Sequence, residues 1–178
     1  MKGIVFTEFL DMVETTWSLD MVDKLIEKAG VAGAYTAVGT YPHGEMVALV
    51  RALSAETDTP VPDLIRSFGG HLFSRFALAY PRFFQGVADG FTFLAGIEDV
   101  IHAEVRKLYP DAQLPSFEIQ RLPDGLAMAY FSEHPFSDLA HGLIEGCLRH
   151  FGEQASVERR PPPPGSGAQV VFVIRRMA

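Results

Sequence analysis

The chain has 178 residues, 48% of them hydrophobic, with 15 basic and 22 acidic side chains and a formal charge of -7. That length suits one domain with a full core, and the apolar share rules out disorder over most of it. The negative charge argues against a nucleic-acid partner, which needs a basic face, and no apolar run approaches the roughly 18 residues of a membrane-spanning helix.

The opening Met1-Lys2-Gly3-Ile4-Val5-Phe6 meets Glu8 and Asp11 early, so it lacks the apolar core and cleavage site of a secretion signal. The single cysteine, Cys147, cannot form an internal disulfide, and cytoplasmic residence is the expectation. Ile4, Val5, Phe9, Leu10 and Val13 predict an amphipathic helix over 1–14. Ser18 caps a second helix through Lys28, with Met21, Val22, Leu25 and Ile26 inward and Gly30 at its C-cap. Tyr41-Pro42-His43-Gly44 is turn-like, which makes His43 a solvated loop residue.

A third helix is expected over 45–56. Residues 63–80 continue as helix, broken or bent at Gly69-Gly70 and ended by Pro81. Another helix begins near Phe91 and stops at Pro110, with Leu94, Ile97, Ile101, Val105 and Leu108 as its apolar stripe and His102 at the stripe's edge.

The pattern changes after Pro110. Residues 114–122 alternate, with Phe117 and Ile119 on one face. Pro123-Asp124-Gly125 is a turn, and 126–132 return as a second strand halted by Pro135. A helix over 136–151 places Leu139, Leu143, Cys147 and Phe151 at a spacing of four. A short strand at 156–160 precedes the loop Pro161-Pro162-Pro163-Pro164-Gly165-Ser166-Gly167, and Val170-Val171-Phe172-Val173-Ile174 closes the chain as the strongest strand signal. Helices first and four antiparallel strands after predict an α+β domain with packed helices. The expected division is a helical N-terminal part, 1–60, and a part of 61–178 carrying the His102 helix and the sheet.

No nucleophile with a plausible base, no phosphate loop and no Cys/His zinc spacing is present, so an enzyme is not expected. Cys147 falls at an apolar helix position, where packing is the expectation. Asp99 and Glu104 read as the solvated side of the His102 helix.

The opening hexapeptide, Ile101-His102 with Leu108-Tyr109-Pro110-Asp111-Ala112, Tyr130-Phe131-Ser132 and Leu143-Ile144-Glu145-Gly146 together resemble the H-NOX family, the haem–nitric oxide/oxygen binding domains. The resemblance runs over almost the whole chain. It implies haem b (iron protoporphyrin IX) in a pocket between the helical part and the sheet-bearing part, with His102 as the proximal iron ligand. It implies that Pro115 packs against the haem and that Phe6, Phe9, Leu72, Phe76, Leu139 and Leu143 wall the porphyrin.

The family's Tyr-x-Ser-x-Arg motif, which holds the haem propionates, matches here at Tyr130 and Ser132, and His134 stands in the arginine position. An arginine carries a permanent bidentate charge; a histidine is only partly charged near neutral pH. Oxygen-keeping members have a distal tyrosine where this chain has Leu139, so the resemblance implies nitric oxide and carbon monoxide binding with oxygen excluded. His71 and His141 are expected to face solvent. The implied mechanism is a switch: nitric oxide weakens the bond to His102, its helix shifts, and a separate effector, a histidine kinase or cyclic-di-GMP enzyme, reads the change. The rival is the same domain without haem, holding another apolar or tetrapyrrole ligand or serving as an interaction module, and the histidine at 134 motivates it.

Overall fold

The structure is a computed structural model that describes residues 1–134 and 136–177; Pro135, the expected stop of the second strand, lies outside the described residues. Seven α-helices occupy Gly3–Thr16 (α1), Leu19–Ala29 (α2), His43–Thr57 (α3), Val61–Ala79 (α4), Gly90–Ala95 (α5), Ala103–Leu108 (α6) and Ser137–His150 (α7). Four strands follow or flank the last of them: Ser116–Leu122 (β1), Gly125–Phe131 (β2), Ala155–Arg160 (β3) and Val170–Arg176 (β4). They form one antiparallel sheet in the order β1-β2-β4-β3, so the fold is mixed helix and strand as expected.

Local chemistry sets several boundaries. The Ser18 hydroxyl accepts from the Met21 backbone N–H, and Gly30 closes α2 in the left-handed region at φ 64°. The Asp89 carboxylate caps α5 through Thr92 N. Residues 123–124 turn β1 into β2, pairing Leu122 with Gly125. The register then lays Phe117 opposite Tyr130 and Met128 opposite Phe172, which collects one apolar face of the sheet beneath α7.

Two expectations fail for steric and geometric reasons. Gly69-Gly70 does not break α4, which runs unbroken from Val61 to Ala79. The glycines instead let α4 and α7 touch backbone to backbone: a Cβ on Gly69 would strike the Leu139 carbonyl, and one on Gly142 the Arg66 carbonyl. The helix expected from Phe91 to Pro110 is not a single α-helix. After α5 and Gly96 it continues as a π-helical turn, Ile97–His102, before α6. A π turn carries an extra residue, so a stripe laid at α-helical spacing loses phase, and Leu108 emerges 45% exposed.

The buried apolar residues form two clusters. One joins α1 to α4 with Phe136. The other joins the sheet to α5, α7 and Phe73 of α4. Leu143 packs against both. In α7 the buried positions are Ala140, His141, Gly142, Ile144, Gly146, Cys147 and Leu148, while Leu139 and Leu143 of the expected stripe are half-buried. The C-terminal end of the His102 helix is tied to the start of the chain: Asp111 accepts from Lys2 Nζ at 3.1 Å and from the Thr40 hydroxyl at 2.8 Å, and the Tyr80 and Tyr109 hydroxyls lie 3.4 Å apart.

Candidate functional site

His102 is the last residue of the π-helical turn, and its side chain is 11% exposed. Its Nδ1 lies 2.9 Å from Glu98 Oε1, one helical turn earlier. A carboxylate only accepts, so this contact puts the ring proton on Nδ1. The same Glu98 oxygen accepts from the Phe117 backbone N–H at 2.9 Å, which pins the helix to the start of β1. Burial lowers the His102 pKa, opposed by the Glu98 charge, so the ring is neutral near pH 7. Nε2 makes no hydrogen bond among the described residues. The arrangement therefore presents one oriented, neutral imidazole lone pair, and a carboxylate holding the far nitrogen is the usual support of a metal-ligating histidine.

Phe117 links this histidine to the sheet. Its ring centroid lies 6.1 Å from that of His102 and 5.5 Å from that of Tyr130. Tyr130 is 2% exposed, near the end of β2, and burial pushes its hydroxyl pKa up while a Ser132 hydrogen bond pulls the other way. Ser132 and His134 are not on the strand, which ends at Phe131. Strand alternation therefore does not set their directions. A local turn does, in which the Ser132 hydroxyl accepts from the His134 backbone N–H at 3.1 Å. The His134 ring stacks on His43 at 4.0 Å between centroids. His43 is thus not a solvated loop residue. It is the first residue of α3, half-buried, with Phe136 edge-on at 6.5 Å. Pro115 lies half-buried just before β1.

The remaining predicted residues sit on the helical side. Leu139 lines a small apolar crevice with Met1, Val5, Ile65, Phe68 and Phe136. Phe76 is half-buried against the first cluster, and Leu143 stands where the two clusters meet. Phe6, Phe9 and Leu72 are buried in the first cluster, with Phe6 stacked on Tyr35 and Phe9 edge-on to Phe68.

The two histidines expected to face solvent do not. His141 is 5% exposed and turns its ring toward Phe172, with Nε2 3.6 Å from Glu145, too long for a hydrogen bond. His71 buries its Nε2, 4.0 Å from Glu8. Neither lines the apolar crevice. Glu98 was not singled out from the sequence, although a carboxylate four residues before a helical histidine is a visible signal. His43 carried no such signal, because its partner is 91 positions away (134 − 43).

A neutral, carboxylate-held imidazole near Tyr130 of the sheet, with the Ser132 hydroxyl just beyond the strand end, fits a haem iron ligand with hydroxyl donors for the propionates. The Haem-NO-binding family profile matches residues 2–159. Among curated proteins none matches the chain. Among solved structures, the Fe(II) unliganded H-NOX protein from K. algicida superposes with a TM-score of 0.91 at 39% identity, over 100% of this chain and 97% of that one. The H-NOX protein from S. oneidensis in the Fe(II)NO ligation state gives 0.91 at 28% identity over 100% of both chains. The IWP-051-bound H-NOX from Shewanella woodyi in the Fe(II)CO ligation state gives 0.85 at 37% identity, over 99% and 95%. The chain belongs to the Haem-NO-binding (H-NOX) family.

Proposed function

We propose that this protein is a haem-based sensor of nitric oxide, and of carbon monoxide, that signals to a separate effector. One observation carries the reading: Glu98 holds His102 Nδ1 and leaves Nε2 neutral, oriented and unengaged beside the sheet. His102 is assigned as the iron ligand. Tyr130, Ser132 and His134 are assigned to the propionates, and Pro115, Phe76, Leu139 and Leu143 to the walls of the pocket. Haem b, held there by His102, would supply a ferrous iron able to bind a gas. The crevice around Leu139 is lined by apolar side chains with no side-chain donor among the described residues, which favours nitric oxide and carbon monoxide over oxygen, whose bound form needs one.

The chain's own linkages describe how a change at His102 would travel. The 97–108 segment moves with His102, and Asp111 at its end grips Lys2 and Thr40 of the 1–60 part. Movement of that segment relative to β1 must break or carry the Glu98–Phe117 bond. A histidine kinase or cyclic-di-GMP enzyme is the proposed reader, and the cytoplasm the proposed compartment. No helix among the described residues is long and apolar enough to cross a membrane.

The test is the absorption spectrum of the haem-reconstituted ferrous protein with and without nitric oxide, beside His102→Ala. The reading expects a Soret band that shifts with nitric oxide, no stable oxygen complex, and loss of haem or of the axial bond in the variant. The rival reading, the same fold without haem, rests on the histidine at 134; a wild-type protein that takes up no haem would establish it.

A further inference from the structure

We propose that His43 is a haem-binding residue, forming with His134 a two-imidazole receptor for a haem propionate. This rests on the haem reading above and adds to it a residue from a different part of the chain.

The geometry is specific. The two rings stack at 4.0 Å with 27° between their planes. Each imidazole can offer an N–H, and a carboxylate has two oxygens to accept two such donors. Neither ring has a hydrogen bond or an ion pair among the described residues, so no protein acceptor there competes for them. His134 lies two residues beyond Ser132 in the segment that leaves Tyr130, and its backbone is fixed to the Ser132 hydroxyl. The stack thus follows Tyr130 and Ser132 closely along the chain. A single histidine replaces an arginine poorly, because it is one donor group with a partial charge. A second imidazole 4.0 Å away restores the second donor.

The ionisable groups on the adjoining segments are committed elsewhere or lie in water. Glu45 of α3 accepts from the Tyr35 hydroxyl at 2.7 Å. The Met1 ammonium donates to the Tyr41 carbonyl at 2.8 Å. Asp138 at the start of α7 pairs with Arg159, and Glu133 is exposed.

The experiment follows the rate at which the haem-loaded protein gives up its cofactor to excess apomyoglobin. Wild type, His43→Ala, His43→Phe and His134→Ala are each loaded with haem and, separately, with haem dimethyl ester, whose propionates are blocked. With haem, each variant should release about tenfold faster than wild type, the size expected for one charge-assisted hydrogen bond at a half-buried site. With the ester, variants and wild type should release at equal rates. His43→Phe keeps a stacked ring but no donor, so wild-type retention by that variant would overturn the proposal and leave the stack as packing. Equal acceleration with both cofactors, or none with either, would overturn it too, while a normal Soret band left the haem reading standing. Absence of haem uptake by the wild type would overturn both.

Discussion

Removal of the Glu98 carboxylate tests whether the support of His102 is as described. Glu98 Oε1 accepts two hydrogen bonds, from His102 Nδ1 and from Phe117 N, each at 2.9 Å, and Arg106 lies 3.7 Å from the other oxygen. A buried hydrogen bond to a charged acceptor is worth about 1.5–3 kcal/mol. The Glu98 side chain is 22% exposed, so water competes and each bond is discounted to about 1 kcal/mol. Glu98→Ala should therefore lower the unfolding free energy of the haem-free protein by about 2 kcal/mol. Glu98→Gln keeps a neutral acceptor and should cost about half as much. Urea unfolding measures both. In the haem-loaded protein the alanine variant should bind haem roughly 10- to 100-fold more weakly, the usual effect of losing a support of this kind. Protonation is not the route, because burial already keeps His102 neutral and losing the Glu98 charge deepens that shift. An alanine variant within about 0.5 kcal/mol of wild type in urea, with unchanged haem affinity, would refute the argument.

Three further outcomes follow from packing and burial. Gly142→Ala gains up to about 1 kcal/mol of helix propensity but drives a Cβ into the Arg66 carbonyl, at an overpacking cost of about 1–3 kcal/mol; Tm should fall by several degrees, whereas Gly44→Ala, with nothing within 4 Å, should leave Tm unchanged or raise it. Burial lowers the pKa of His71, His102 and His141 below 6.5, so the unfolded chain binds protons there before the folded one does; haem-free stability should be full above pH 6.5 and decline as pH falls from there through the folded values, and a flat urea midpoint between pH 7 and 5 would contradict this. Cys147 is fully buried with its Sγ 3.8 Å from the Gly90 carbonyl, and burial pushes its thiol pKa up; a thiol reagent should label it only on unfolding, and labelling of the native protein at the rate of a free thiol would show the packing to be wrong.

What the sequence made legible was what local chemistry decides. Ser18 and Gly30 bound α2 because a hydroxyl cap and a left-handed residue act within a few positions. The turn at 123–124 and the apolar run of β4 are equally local. The glycines of α4 misled for the same reason. Read alone, Gly69-Gly70 costs a helix stability, but its value lies in Gly142 on a helix about seventy residues later, and together they remove the side chains that would hold α4 and α7 apart. The π turn at 97–102 was also invisible, since a stripe read at α-helical spacing has no place for its extra residue.

The site divides along the same line. His102 was singled out because the resemblance placed it, and Glu98 could have been read beside it from a spacing of four. Treating the acidic side of that helix as solvated passed over the one carboxylate that turns inward to meet Phe117. The arginine-to-histidine change at 134 was legible as a loss, and its compensation was not. On the reading proposed above, the donor missing from one segment is supplied by a residue that only the fold brings near, and nothing within a few positions of His43 distinguishes it from a loop histidine. Departures from a motif therefore point to where the rest of the chain should be searched. Here the search leads from the strand end at Phe131, through the Ser132 turn, to a ring on the first turn of α3.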